Sequence, residues 1–110
     1  MTDTETIEIS MEQAKQKIKR AEALNRLYEN PEFKELFVEG YMKEFAAEMV
    51  SRKASMNAQE EKNQKFIDNQ ITAIGHMQLY MSLLAQEGRV AKETLEADEQ
   101  EIERILAEEG

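Results

Sequence analysis

Apolar residues recur by threes and fours along most of this chain, the spacing of one face of an α-helix. Ala14, Ile18, Ala21, Leu24, Leu27 and Tyr28 form the first stripe. It follows Ser10-Met11-Glu12-Gln13, a pattern that fits a capping box in which the serine oxygen and the glutamine side chain satisfy free backbone N–H groups. Asn30-Pro31 then punctuates the chain. Proline disfavours helical geometry at the residue before it and suits a first helical position, where no N–H is needed. Phe33, Leu36, Phe37, Tyr41, Phe45, Met49 and Val50 make one face of a second helix, widened by Val38, Met42, Ala46 and Ala47. Three of the four phenylalanines lie here, so this helix is expected to be the central apolar element. The polar stretch 55–65 follows, with Asn57-Ala58-Gln59-Glu60 as a further cap pattern. Phe66, Ile67, Gln70, Ile71, Ile74, Met77, Met81 and Leu84 mark a third helix. Gly75 lies inside it at a cost of about 1 kcal/mol against alanine, as where another backbone comes close. Residues 1–9 are short, polar and acidic, with Ile7 and Ile9 alternating, and read as an extended arm.

Gly88 admits two readings. It can cap the third helix and begin a fourth. Alternatively the helix continues, because the stripe stays in phase through Leu84, Gly88, Ala91, Leu95, Asp98, Ile102 and Ile105. A separate fourth helix would also place Arg89 and Lys92 at its positive end and Glu108 and Glu109 at its negative end, against the dipole. If the helix continues, Gly88→Ala should stabilise by up to about 1 kcal/mol; if Gly88 is a left-handed cap, the sign reverses. The expected fold is all-α, with helices at about 11–28, 31–54, 57–87 and 89–108, the last two either joined or separate. Residues 10–110 are expected to form a single helical domain. Its core is expected to be a hairpin in which Phe37, Tyr41 and Phe45 pack on Ile67, Ile71 and Ile74.

The 110 residues are one domain's worth of chain. Without cysteine, and with one proline and four glycines, the chain is neither a disulfide scaffold nor loop-rich. No run of about 20 apolar residues is present, so no membrane span is expected. The start, Met1 to Thr6, lacks the basic and apolar regions of a signal peptide, which points to the cytosol or the inside of an assembly. Twenty-three acids against 14 bases give a formal charge of −9, which argues against nucleic acid or anionic lipid as partners. Eight acids and three bases fall in the last 22 residues.

Candidate chemistry is sparse. The single histidine, His76, has only Asn69, Gln70, Thr72 and Tyr80 in helical reach and no nucleophile to activate. Residue 73 is alanine, so the Glu-x-x-His pattern of carboxylate-bridged metal bundles is missing, and neither metal nor cofactor is expected. Glu99 and Glu103 read as a solvated face. Lys15, Lys17, Lys19 and Arg20 are too few for nucleic acid and read as a patch complementary to the acidic C-terminal helix of this chain or of a neighbouring copy. Seven methionines suit gap-filling or an adaptable interface. The thin C-terminal stripe (Leu95, Ile102, Ile105, Leu106) buries little alone, so self-association is expected. The candidate interface residues are Ile7, Ile9, Met42, Met49, Met81, Leu95, Ile102 and Leu106.

The segments Asn30-Pro31-Glu32-Phe33, Gly40-Tyr41 and Ile71-Thr72-Ala73-Ile74-Gly75, with the Glu-rich end, resemble a class of small all-helical proteins of tailed bacteriophages. The resemblance covers about two-thirds of the chain and implies a virion or assembly role without enzymatic activity, in the host cytoplasm or within the particle. The function expected is that of a non-enzymatic interaction component, forming homo-oligomers or joining a larger viral assembly. The alternative is an acidic inhibitor whose carboxylates at 93–109 occupy a basic surface on a host enzyme.

Overall fold

A computed structural model of the chain describes residues 2–55 and 60–110. Among them every element is helical, as expected of an all-α chain. The elements are α1 (Asp3–Glu29), α2 (Pro31–Phe33), a π-helical segment (Lys34–Phe45), α3 (Ala46–Lys53) and α4 (Glu61–Glu109). The cap pattern at Asn57 to Gln59 lies outside the described residues. No described helix is long and apolar enough to cross a membrane.

Residues 3–9 are not an extended arm but the first turns of α1. The capping box sits at Thr2 and Glu5 rather than at Ser10 and Gln13. Thr2 Oγ1 accepts the Glu5 amide at 3.1 Å, and the Thr2 amide donates to Glu5 Oε2 at 3.2 Å. Asp3 and Glu5 also suit the positive end of the helix dipole. Nothing between Thr2 and Asn30 breaks a helix, and Thr4, Ile7, Met11, Ala14, Ile18 and Ala21 extend one stripe back to the start. At Asn30 the expected cap is present. Its side-chain Oδ1 accepts the Phe33 amide at 2.9 Å, its backbone is extended, and Pro31 opens the next helix.

From Pro31 to Lys53 the backbone stays helical, with φ/ψ near −63°/−43° and −61°/−44° at the two junctions. Between Lys34 and Phe45 the hydrogen bonding is π-type, i to i+5, which places more residues in each turn. The covered face steps from Phe33 by five residues to Val38, then to Tyr41, Met42, Phe45 and Met49. Phe37 is therefore 43% exposed instead of in the core. It stacks on Phe33 within its own helix, with ring centroids 5.4 Å apart.

The chain has two compact units: Met1–Asn25 with Leu83–Gly110, and Arg26–Ser82. The 49 residues of α4 are divided between the two, up to Ser82 in one and from Leu83 in the other.

Within Arg26–Ser82, α3 and the start of α4 form the antiparallel hairpin that the sequence suggests. Met49 and Ile67 are its buried centre, with Phe45 and Ile71 packed against them. Lys53 Nζ meets Asp68 Oδ1 at 2.5 Å, and Gln64 Nε2 donates to the Lys53 carbonyl at 3.4 Å. Ile74 is also buried, whereas Tyr41 is half-buried and Phe37 lies outside this core.

Within Met1–Asn25 and Leu83–Gly110, α1 and α4 run antiparallel. Thr2, Thr6 and Ile7 share a groove with Glu101, Ile105 and Glu108, while Ala21 and Asn25 share one with Ala85, Gly88 and Lys92. Leu84, Gly88, Ala91, Leu95, Asp98, Ile102 and Ile105, spaced alternately by four and three, are buried or half-buried. The helix continues through Gly88, and no glycine among the described residues has positive φ. A Cβ on Gly88 would lie 2.3 Å from the Cβ of Ala21 and 3.7 Å from the Lys17 carbonyl. The glycine is a point of close approach between two helices, not a cap.

Two stability comparisons follow from this packing, both read by urea unfolding. Met49→Ala removes a fully buried side chain and should cost about 2–5 kcal/mol, whereas Phe37→Ala, losing chiefly its stack on Phe33, should cost about 1 kcal/mol. Gly75 has no neighbouring side chain or other helix within 4 Å of a built Cβ, so Gly75→Ala should stabilise by up to about 1 kcal/mol. Gly88→Ala should destabilise by about 1–3 kcal/mol, because a helix must shift to admit the methyl group. Equal signs for the two glycine substitutions would contradict the contact at Ala21.

Candidate functional site

His76 is exposed on α4, and no group of three or more His, Cys, Asp or Glu among the described residues is placed to hold a metal ion. The structure gathers two other kinds of feature: apolar side chains left open, and charge of one sign.

Of the candidate interface residues, Met49 and Met81 are buried by the chain's own packing and cannot meet another chain. Ile7, Leu95 and Ile102 are half-buried in the α1–α4 stripe, and Met42 is half-buried in the π-helical segment. Of the thin C-terminal stripe, Leu95, Ile102 and Ile105 are half-covered within the α1–α4 unit, and Leu106 is not. Ile9 and Leu106 remain exposed. Larger open side chains lie elsewhere. Arg26–Ser82 exposes Leu36, Phe37, Val50, Phe66, Leu79 and Tyr80; the α1–α4 unit exposes Leu83 and Val90 as well. Leu83 and Val90 are seven residues apart, each one position before Leu84 and Ala91 of the covered stripe. That offset was the available signal, since it marks a second apolar line beside the first.

Charge is strongly segregated. Residues 2–8 and 96–110 hold ten carboxylates and one guanidinium, a balance of −9 that equals the net charge of the whole chain. The antiparallel pairing of α1 and α4 brings both segments to one end of their unit. Lys15, Lys17, Lys19 and Arg20 lie further along α1 and form no ion pair among the described residues, although Lys15 and Lys19 share a groove with Leu95 of α4, and Lys17 shares one with Glu87 and Val90.

Arg104 is the one base of the acidic end. Its Nη1 meets Glu108 Oε1 at 2.6 Å, and its Nε and Nη2 clasp the two oxygens of Glu101, the former at 3.0 Å. The hydrogen bond from Arg104, with the charge of its guanidinium, holds the Glu101 carboxyl below the usual carboxylate range. Arg104 is in turn pushed above its ordinary value, first by hydrogen bonding to Glu101. Asp98 Oδ2 is shielded from solvent and has no hydrogen-bond partner among the described residues, an unmatched oxygen in an otherwise apolar stripe.

No family model matches the chain, and no curated protein or solved structure matches it significantly.

The Arg104 clasp gives a pH signature. Because the Glu101 value is lowered on folding, the clasp contributes above the ordinary glutamate range and fades as pH falls through the lowered value. Arg104→Gln should return Glu101 to the ordinary carboxylate range, followed by carboxyl-carbon NMR. An unchanged Glu101 titration would show that Arg104 is not the cause.

Proposed function

We propose that this chain is a non-enzymatic helical component that works by contact with other proteins in a larger assembly. The reading rests on the apolar surface that remains after the chain has formed its own core. Single exposed apolar residues are ordinary; that one small unit exposes six large ones, Leu36, Phe37, Val50, Phe66, Leu79 and Tyr80, supports the reading of a contact surface. The resemblance to small helical proteins of tailed bacteriophages makes the virion, or an intermediate in building it, the assembly of first choice. A second reading draws on the charge. The acidic end of the α1–α4 unit would suit a regulator that covers a basic protein surface, its carboxylates standing in for phosphates.

The two readings separate experimentally. Leu36, Val50 and Phe66 are each more than half exposed, so serine at all three should move stability by about 0.5 kcal/mol or less per site. In a lysate of the cells that make the protein, the wild type should travel with a high-mass fraction and persist there in high salt, while the triple variant should run at its own mass. A wild type released by salt, with the triple variant behaving alike, would favour the acidic regulator. A wild type that runs free at low salt would overturn both.

A further inference from the structure

We propose that the groove between α1 and α4 lined by Gln13, Ala14, Lys17, Leu83, Glu87 and Val90 receives a second copy of this chain, packed antiparallel to the first. This deepens the assembly reading by naming a surface and its partner, and it rests on that reading.

Three observations carry it. First, α4 from Leu83 onward has two neighbouring apolar lines. One is covered by α1; the other presents Leu83, 43% exposed, and Val90, 52% exposed. A helix whose apolar surface spans two adjacent lines suits a bundle of more than two helices. The groove floor is Ala14 and Ala91, both buried and both small, so a further helix can approach closely.

Second, the groove contains its own complement. Lys17 on α1 and Glu87 on α4 are exposed in it, and neither forms an ion pair among the described residues. A two-fold contact brings residue i of one copy to residue j of the other and j to i. Lys17 of each copy then faces Glu87 of the other, and one surface supplies both halves of two ion pairs.

Third, the charge distribution selects the direction. Copies packed in parallel would set two acidic ends of formal charge −9 side by side. Antiparallel packing sends them to opposite ends of the pair, where salt screens what repulsion remains.

The experiment uses the full chain in sedimentation equilibrium at micromolar concentration. The wild type should show twice the chain mass of 12.7 kDa. Lys17→Glu and Glu87→Lys, each leaving helix content unchanged by circular dichroism, should each weaken the pair about tenfold. An equimolar mixture of the two single variants should restore wild-type affinity, because the mixed pair again has two attractive contacts. Spin labels on Leu106→Cys should not couple across the pair. A wild type at 12.7 kDa throughout, swaps without effect, or swaps with no rescue on mixing would overturn the proposal, and coupled labels would overturn its orientation. A monomer that still enters the high-mass fraction would remove this pairing but leave the assembly role. A dimer that enters no such fraction would do the reverse.

Discussion

The pairing of α1 with the C-terminal half of α4 depends on one missing methyl group. With no Cβ at Gly88, Ala21 sits where that Cβ would be, and the two backbones come closer than larger side chains allow. Ala14 and Ala91, both buried, extend the same thin seam. Such residues remove little apolar area from water individually. Their benefit is proximity, since dispersion falls steeply with separation. The propensity penalty of a glycine inside a helix, about 1 kcal/mol, is the counterweight to that contact. The branched side chains further along, Ile7, Ile18, Leu95, Ile102 and Ile105, supply the burial that the seam cannot.

What the sequence made legible was local. Helical periodicity and the Asn30-Pro31 cap depend on residues within a turn of one another, and the structure reproduces both. The start of α1 is ambiguous in the sequence because Thr2-x-x-Glu5 and Ser10-x-x-Gln13 both fit a capping pattern. Choosing between them requires knowing that Thr4 and Ile7 have a helix to pack on. The π-helical segment has no residue-type signature. A change from i+4 to i+5 bonding shifts the covered face by one residue per turn, enough to move Phe37 out and Val38 in. Gly88 was ambiguous for a different reason: both readings satisfied its local geometry. The methyl that decides the sign of a substitution there belongs to Ala21, on another helix.

The candidate site was less legible than the fold. Periodicity identifies an apolar face but not what covers it. Met49 and Met81 share that property with Val50 and Leu83, yet the first two are buried inside the chain and the second two are not. The C-terminal stripe is thin, and a thin stripe does not say which element packs on it. The element that packs on it is α1, whose first turns read as an arm in the sequence because their apolar residues are few.

The acidic end shows how these constraints combine. Here the two helices hold together across ten carboxylates, and the only guanidinium present pairs with Glu101 and Glu108, both on α4 itself. No ion pair among the described residues joins the two helices at this end. The contact is therefore apolar, through Ile7, Ile102 and Ile105, against the mutual repulsion of like charges. Asp98, with one oxygen unmatched in the same stripe, weakens it further. Local opening draws on the least stable contacts in a structure. The terminal turns of α1 and α4 are where the opposing charge is greatest, so opening of this helix pair is expected to begin there.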